Sequence, residues 1–434
     1  MPARQLWRTA CVRCRRDRKS PLACAAHQSG APPSFRLGYA ISRQKILIVY
    51  GTRPEAVKLG PLILALGGHS DLTPFVCVTA QHRHMLDQFN AIFGIVPDFD
   101  LDLHRPAQSL THVTGAVLAG MEDVLRDLRP AAVVVQGDTT TTFSAALAAF
   151  YQRIPVVHVE AGLRTGDPLS PYPEEINRRL TTQLARLHLA PTTSSLHNLL
   201  REGVQRSSVF VTGNTVIDSL HWVLRRVTSP RAESLRTLQR DPRRVLLVTT
   251  HRRESWGDPM RSIGRALRRI AEESPDMLVL FPMHLNPLVR EAILPSLDGL
   301  SNVLVTEPLE YDDFAWAMQR SHVILTDSGG VQEEAPSLGK PVLVLRDNTE
   351  RPEAVQAGTV RLVGTDEDQI VREVLELWRS AESYEHMSGA VNPYGDGHAV
   401  ARSVAAIDHL LLGANRPEEF STPNASSVED GLTP

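Results

Sequence analysis

The stretch HVEAGLRTGDPLSPYPEEINRR, residues 158–179, places three carboxylates around a loop rich in Gly and Pro. Glu160 directly follows an apolar run, while Glu174 and Glu175 open a predicted helix. Upstream, Asp138 ends a similar run, AAVVVQGD. In a cleft that excludes water, such carboxylates have raised pKa values and act as general acids and bases. Because neighbouring parallel strands lie about 4.8 Å apart, Asp138 and Glu160 are expected to stand close together.

Most of these residues also have a structural interpretation. Acids in the first turn of a helix complement its dipole, which suits at least one of Glu174 and Glu175, and Asp138 suits a helix cap. Glu160 is harder to explain in this way, because the residue after a VVHV strand is small or apolar unless it faces a site. His158 and His188 lie inside strands and are expected to pack in the core.

A second set of residues suits a diphosphate. Ser328, Gly329 and Gly330 lie between a strand and a predicted helix, where backbone N–H groups and the helix N-terminus favour an anion. Glu334, one helical turn further on, is placed to accept hydrogen bonds from ribose hydroxyls. Basic residues follow other strands, namely Arg53, Lys58, His251, Arg252, Arg253 and Arg351. Arginine can bind a diphosphate through two parallel hydrogen bonds, so a diphosphate-bearing ligand is favoured.

Metal and nicotinamide chemistry are disfavoured. Four potential ligands near the N-terminus have the composition of a zinc knuckle: Cys11, Cys14, Cys24 and His27. They lack flanking strand or helix patterns, and a dinuclear centre at Asp138, His251 and His284 lacks the dense spacing expected of one. The first strand ends in GTRPE and not in G-x-G-x-x-G, so the usual dinucleotide signature is missing.

The elements that must position these residues alternate regularly. From Lys45, short β-branched runs alternate with amphipathic stretches, and the series restarts at RVLLVTTH after a charged bridge at 219–240. This pattern predicts an α/β fold of two doubly wound, Rossmann-like domains facing a central cleft. Their expected bounds are 45–215 and 216–390, and a helix in 391–412 is expected to pack back on the first domain.

Ligands bind beyond the carboxyl ends of the strands in such folds. One cleft should therefore collect the residues that follow the runs: Arg53, Gln81, Asp138, Glu160, Asn214, His251, His284, Glu307 and Ser328.

Composition limits the class of protein. The chain has 434 residues, 42% hydrophobic residues and a formal net charge of −3, which argues against a general nucleic-acid binder. No apolar run is long enough to span a membrane. Only Cys77 lies in the body of the chain, which fits a reducing cytoplasm. Residues 1–44 are expected to be a disordered extension, or to follow from a start codon placed too far upstream, and 413–434 a disordered tail.

Taken together, these motifs closely resemble the non-hydrolysing UDP-N-acetylglucosamine 2-epimerases of bacteria. The resemblance covers about residues 45–408 and includes GTRPEAVKLGPL, GDTTTTFSAALAAFYQRIPVVHVEAGLRTGD, SPYPEEINRRL, HRRES, LTDSGGVQEEAPSLGKPVLVLRD and NPYGDGHA. It implies the two-domain GT-B fold, a homodimer, and interconversion of UDP-N-acetylglucosamine and UDP-N-acetylmannosamine without metal, nicotinamide or other cofactor. The proton at carbon 2 is not acidic, so an enzyme without nicotinamide must expel UDP and then add it back. Two faces of the sugar need two proton-transfer groups, hence several carboxylates.

The resemblance also implies roles for individual residues. The catalytic residues would be Asp138, Glu160, Glu174 and His251. The UDP-binding residues would be Arg53, Lys58, Phe314, Ser328, Gly329, Gly330, Glu334 and Arg351. A second UDP-N-acetylglucosamine acts as an activator in some members, and residues that could bind it here are Gln81, Glu175, Arg252 and His284. We assign the base for the gluco substrate to Glu160, with Asp138 and Glu174 serving the other face.

Two positions depart from the family pattern. Leu309 stands near the uracil where close relatives have Gln, and His84 stands where Gln or Glu is common, which bears on the activator site. The rival interpretations are a hydrolysing epimerase, a GT-B glycosyltransferase and a non-catalytic nucleotide-sugar sensor. The unbroken HVEAGLRTGD and SPYPEE favour the non-hydrolysing epimerase. The sequence leaves open which cell-surface polysaccharide the product supplies.

Overall fold

The computed structural model describes residues 43–80, 83–105 and 108–421, with the side chains at 83–85 left undescribed. The N-terminal extension therefore lies outside the described residues except for its last two positions. So do Gln81 and the four cysteine and histidine candidates for a zinc knuckle, Cys11, Cys14, Cys24 and His27.

The first half of the described chain forms a seven-stranded parallel sheet in the order β3-β2-β1-β4-β5-β6-β7. Its strands are β1 (Gln44–Tyr50), β2 (Leu72–Val78), β3 (Phe99–Asp100), β4 (Ala132–Gln136), β5 (Val156–Val159), β6 (Leu187–Ala190) and β7 (Val209–Val211). The helices between them are α1 (Arg53–Gly67), α2 (Arg83–Phe93), α3 (Leu110–Leu128), α4 (Thr140–Tyr151), α5 (Glu174–Leu184) and α6 (Thr193–Arg201). Strands β1, β4 and β5 are buried almost throughout, as β-branched runs covered on both faces should be.

The second half forms a six-stranded parallel sheet in the order β10-β9-β8-β11-β12-β13. Its strands are β8 (Arg244–Thr249), β9 (Met277–Pro282), β10 (Val303–Thr306), β11 (Val323–Thr326), β12 (Val342–Val344) and β13 (Val360–Leu362). The two linking helices are α7 (Thr215–Leu224) and α8 (Glu233–Arg236). The others are α9 (Asp258–Glu273), α10 (Pro287–Leu297), α11 (Tyr311–Arg320), α12 (Gly329–Glu334), α13 (Pro352–Gln356), α14 (Glu367–Arg379), α15 (Ala381–Ser388) and α16 (Ala399–Leu412). The predicted fold class, α/β with two doubly wound sheets, is confirmed.

Both sheets reverse their strand order beside their first strand, between β1 and β4 and between β8 and β11. Such switch points open a crevice at the carboxyl ends of the strands. The register of β4 and β5 pairs Gln136 with Val159. Asp138 therefore lies two residues after the end of β4, and Glu160 lies one residue after the end of the neighbouring strand β5.

The two halves are joined through α7 and α16. The domain boundary expected at residue 215 falls at the first residue of α7, which contacts α1 of the first half and both α11 and α12 of the second. Helix α16 packs against α1 and α7, and His69 Nε2 lies 3.1 Å from Asp408 Oδ2 on α16. The C-terminal helix thus lies against the helix that carries Arg53 and Lys58.

The segment after Gly413 differs from the expected disordered tail. Phe420 N donates a 2.8 Å hydrogen bond to Val211 O, and Glu419 Oε2 accepts one of 2.9 Å from Val211 N. The Phe420 ring is buried in an apolar cluster that includes Ala161 and Leu199. Residues 414–421 therefore cover the open edge of β7; the polar composition of the segment gave no sign of it.

Candidate active site

A cleft of about 640 Å³ opens where α1 faces the carboxyl ends of the second sheet. It is lined by all the residues predicted to bind UDP: Arg53, Lys58, Phe314, Ser328, Gly329, Gly330, Glu334 and Arg351. Three further predicted residues line it as well: His251, Arg252 and His284. Other predicted site residues do not line it. Glu307 is exposed and pairs with Arg290 Nη2 at 2.6 Å, and Asp138, Glu160, Glu174 and Asn214 lie outside the lining. Glu160 and Asn214 connect to it through their contacts with Lys58 and Glu333.

The Gly-Gly turn is shaped by an arginine. Ser328 precedes α12, and its backbone N–H donates to Thr326 Oγ1 at 2.9 Å. A Cβ atom on Gly329 would lie only 2.5 Å from Arg351 Nη1, whereas one on Gly330 would meet nothing closer than Glu334 Oε1 at 3.4 Å. Gly329 therefore allows the guanidinium to lie against the turn. Backbone N–H groups and a buried positive charge meet at one point, as an anion requires.

Glu334 and two aromatic residues lie at the other end of this wall. Tyr311 OH donates a 2.7 Å hydrogen bond to Glu334 Oε2. Burial raises the pKa of the Glu334 carboxyl to about 7, although the Tyr311 hydroxyl acts in the opposite direction. Phe314 lies on α11 beside Leu309, the residue that departs from the family pattern, and both line the cleft. A carboxylate beside aromatic and apolar walls suits a nucleoside, with hydroxyls at one end and a flat base at the other.

His251 is oriented by a buried aspartate. His251 Nδ1 lies 3.0 Å from Asp327 Oδ1. Asp327 Oδ2 accepts hydrogen bonds from Thr250 Oγ1 at 2.8 Å, His251 N at 2.7 Å and Arg252 N at 2.9 Å. Burial alone would raise the pKa of Asp327, but His251 and these backbone donors lower it below its usual range. The histidine ring is thus held with its other nitrogen free to face a ligand.

Glu160 has an unusual backbone and a crowded carboxylate. Its φ is +62°, a left-handed conformation that costs a residue with a Cβ atom about 1–2 kcal/mol. Lys58 Nζ and Gln136 Nε2 both contact its carboxylate, and Asn214 Nδ2 donates to Oε1 at 3.2 Å. Burial raises the pKa of Glu160, Lys58 lowers it, and Glu333 and Asp138 raise it again, so the direction is upward. A carboxyl with a raised pKa suits proton transfer.

The other two predicted acids flank Glu160 differently. Asp138 Oδ2 accepts a 2.6 Å hydrogen bond from Arg178 Nη2 and is a quarter exposed. Glu174 is the first residue of α5 and is partly exposed. The charge of Asp138 also raises the pKa of Glu160.

Glu175 is placed differently from the prediction that it contacts an activator. Its side chain is fully buried and pairs with Arg179 Nε at 3.0 Å. It also accepts hydrogen bonds from Thr165 N at 3.1 Å and Gly166 N at 3.3 Å. Glu175 therefore fixes the loop between Glu160 and α5, and a ligand could reach it only by breaking these bonds.

Three carboxylates in the site were missed as functional residues: Glu55, Asp327 and Glu333. Asp327 directly precedes Ser328, and Glu333 directly precedes Glu334. Both lie in a motif in which the sequence analysis assigned roles only to adjacent residues. Glu55 accepts hydrogen bonds from Thr52 N at 2.7 Å and Thr139 Oγ1 at 2.8 Å, which ties the start of α1 to the loop of Asp138. The only sequence signal for Glu55 was a Thr three residues before it, the pattern of a capping box.

Two further features, a metal-binding cluster and a membrane-spanning helix, were sought in the part of the chain that the structure describes. Within it, no cluster of three or more His, Cys, Asp and Glu side chains is arranged to hold a metal ion. Across the same residues, no helix combines the length and apolar character needed to cross a membrane.

Two parallel sheets with alternating helices place the protein in the GT-B-like fold class. The sequence profile of the UDP-N-acetylglucosamine 2-epimerase family matches residues 64–408. The UDP-N-acetylglucosamine 2-epimerase of Escherichia coli (strain K12) is 54% identical over 370 residues, which are 84% of this chain and 98% of that protein. The chain therefore belongs to the UDP-N-acetylglucosamine 2-epimerase family and is an isomerase with that activity.

Solved structures agree. The Neisseria meningitidis UDP-GlcNAc 2-epimerase bound to UDP-GlcNAc is 49% identical with a TM-score of 0.76, covering 85% of this chain and 100% of that one. The S. aureus MnaA–UDP structure is 44% identical with a TM-score of 0.77, covering 87% and 100%.

Proposed function

We propose that the protein interconverts UDP-N-acetylglucosamine and UDP-N-acetylmannosamine by elimination and readdition of UDP, without hydrolysis. The single observation that carries this proposal is the contact between the buried Glu160 and Lys58, because Lys58 also lines the cleft that contains the anion-binding turn. The side chain of Lys58 thus connects the proposed proton acceptor to the proposed diphosphate site.

The wall formed by the second sheet would hold UDP. Glu334 would accept hydrogen bonds from the ribose hydroxyls, and Phe314 would lie against the base. Ser328, Gly329 and Arg351 would hold the diphosphate through backbone N–H groups and the guanidinium. Arg53 and Lys58 would reach the same phosphates from α1. The two relatives solved with UDP-GlcNAc and with UDP support this choice of ligand.

The wall formed by the first sheet would move the protons. Glu160 takes the proton from carbon 2, the C–H electron pair forms the carbon 1–carbon 2 double bond, and the bond from carbon 1 to the phosphate oxygen breaks. The products are 2-acetamidoglucal and UDP. In the return step the UDP oxygen attacks carbon 1 while Asp138 or Glu174 delivers a proton to the opposite face of carbon 2. No hydride is transferred, so the sequence needs no nicotinamide.

His251 would stabilise the departing diphosphate. Its Nδ1 lies beside Asp327, so Nε2 is the nitrogen that would face the phosphates. Charge develops on the β-phosphate as the carbon–oxygen bond breaks, and a donor held in place beforehand lowers that barrier. Asp327 supplies this orientation without lining the cleft itself.

A second UDP-N-acetylglucosamine would activate the enzyme beside the active site. Arg252 and His284 line the cleft, and the His284 and His251 rings stack with centroids 5.7 Å apart. Gln81 lies outside the described residues, and the contacts of Glu175 disfavour it as a ligand. The activator proposal therefore rests on Arg252 and His284.

The protein would work as a homodimer in the cytoplasm and supply N-acetylmannosamine units for cell-surface polysaccharides. Helices α4 and α5 pack together and expose four apolar side chains: Phe150, Tyr151, Ile176 and Leu180. Tyr151→Glu should convert a dimer to a monomer in analytical ultracentrifugation. The control Val96→Glu, at an exposed valine outside both helices, should leave it intact. A wild-type monomer would contradict the dimer.

The reaction is tested by chromatography of purified protein with UDP-N-acetylglucosamine, without added metal or nicotinamide. We expect UDP-N-acetylmannosamine to accumulate until a constant ratio is reached from either substrate. Free N-acetylmannosamine with an equal amount of UDP would identify a hydrolysing enzyme, and an unchanged substrate would favour the transferase and sensor alternatives.

A further inference from the structure

Glu333 links the two walls of the cleft. It lies on α12 in the second half of the chain and is buried. Arg351 Nε donates a 2.7 Å hydrogen bond to its Oε1. Its Oε2 accepts a 3.2 Å hydrogen bond from Asn214 Nδ2 and lies 3.8 Å from Lys58 Nζ.

Glu160 uses the same two donors from the opposite side. Its Oε1 is in contact with Lys58 Nζ and accepts a 3.2 Å hydrogen bond from Asn214 Nδ2. One ammonium and one amide thus stand between two buried carboxylates, one from each half of the protein. Asn214 Nδ2 lies 3.2 Å from both carboxylates, whereas Lys58 contacts Glu160 and lies 3.8 Å from Glu333.

We propose that Glu333 is a positioning residue that divides Lys58 and Asn214 between itself and Glu160 and so sets the basicity of Glu160. This inference rests on the proposed role of Glu160 as the base. Lys58 wholly committed to Glu160 would make that carboxylate a weaker base, because an ammonium in contact favours the charged form. Because Lys58 also lies near Glu333, Glu160 remains able to take up a proton. Arg351 pairs with Glu333 and balances the part of its negative charge that Lys58 does not.

The electrostatic surroundings agree with this division. Burial would raise the pKa of Glu333, but Arg351 and Lys58 lower it below its usual range. The pKa of Glu160 is displaced upward by burial and by Glu333. The charged and titratable groups that face the two carboxylates from the surrounding elements are Lys58, Asp138, Glu334, Glu350, Arg351 and Tyr394.

The test is the pH dependence of kcat at saturating substrate for the full chain, which reports the pKa values of the enzyme–substrate complex and leaves out the effect of Glu334 on binding. In E333Q the repulsion on Glu160 disappears, and Lys58, already in contact with Glu160, is no longer attracted by a charge at position 333. The decline in rate at acid pH should therefore move about one pH unit lower, and kcat at neutral pH should fall because the base is weaker. N214S should move the decline the opposite way, by roughly half a unit, because Glu160 loses a hydrogen bond to its charged form. Serine still caps α7, where Asn214 Oδ1 now accepts from Val216 N.

A matched control separates this effect from a general loss of charge. Glu350 Oε1 lies 3.0 Å from Arg351 Nη1, so E350Q also removes a carboxylate partner of Arg351. The Glu350 carboxylate pairs with Arg252, Arg346 and Arg351 rather than with Lys58 or Asn214, so E350Q should raise KM while leaving the acid decline in place. An equal shift in E350Q, or no shift in E333Q and N214S, would overturn the proposal.

A substitute variant and the wild-type activity assay distinguish the possible outcomes. If circular dichroism shows E333Q to be unfolded, E333D replaces it. Its shorter carboxylate withdraws from the shared donors, and the acid decline should move in the same direction by less. A wild-type enzyme that does not epimerise would refute the proposed function. A wild-type epimerase whose acid decline ignores Glu333 would refute only this inference.

Discussion

The two walls of the cleft solve different problems with the same kinds of residue. On the wall of the second sheet, two groups proposed to face UDP have fixed partners from the same half: His251 with Asp327, and Glu334 with Tyr311. On the wall of the first sheet, Glu160 is held in a left-handed backbone conformation and shares its cation with a carboxylate from across the cleft.

This difference separates binding from proton transfer. A wall that holds UDP through substrate, intermediate and product gains from fixed charges, because the ligand's charge changes little. A carboxylate that must take up and release a proton is better served by a cation that it shares with a second carboxylate. A cation paired with it alone would stabilise its charged form and oppose protonation. Substitutions on the two walls should therefore affect different kinetic constants.

The largest effect is expected from Glu160→Gln. Removing the base should lower kcat by about 10²–10⁴-fold, the usual contribution of a positioned general base, while KM changes little. Steady-state kinetics of the purified variant measures both constants. A variant that keeps a wild-type kcat would place the base elsewhere.

A smaller effect of the other kind is expected from Gly329→Ala. Its methyl group would displace the Arg351 guanidinium, 2.5 Å from the new Cβ position. Losing a charge-assisted hydrogen bond to the diphosphate should raise KM by about tenfold, with kcat less affected. Gly115→Ala is the control, because that glycine lies on α3, does not line the cleft, and has no atom outside its own helix within 4 Å of the added Cβ. Equal effects of the two variants would contradict the role given to Arg351.

The smallest expected effect is a pH dependence of nucleotide-sugar binding. The pKa of Glu334 is about 7, so its carboxylate is fully charged above that pH and becomes protonated below it. The charged form accepts from two ribose hydroxyls, and affinity for UDP-N-acetylglucosamine should fall about tenfold from pH 8 to pH 6. The affinity is measured by calorimetry on the Glu160→Gln variant, which should not turn the substrate over. Adding Glu334→Gln to this variant should make the affinity nearly independent of pH. A dependence that survives Glu334→Gln would come from another group.

The sequence predicted the wall of the second sheet better than the wall of the first. Residues such as Ser328 and Arg351 act at the ends of strands, and parallel topology alone brings strand ends together. Glu333 and Asp327 were missed because their roles depend on partners distant in the chain, which no local spacing reveals. Glu175 shows the converse: the family resemblance suggested a contact with an activator, but one step along the helix from Glu174 places it in the protein interior.

The most direct test of the account follows the hydrogen at carbon 2. Purified protein and UDP-N-acetylglucosamine in heavy water are observed by proton NMR while UDP-N-acetylmannosamine forms. If carboxylates remove and return that proton, the product should carry deuterium at carbon 2 from its first appearance, and Glu160→Gln should slow its formation in step with kcat. Product that retains its original hydrogen at carbon 2 would contradict elimination and readdition and the division of labour between the two walls.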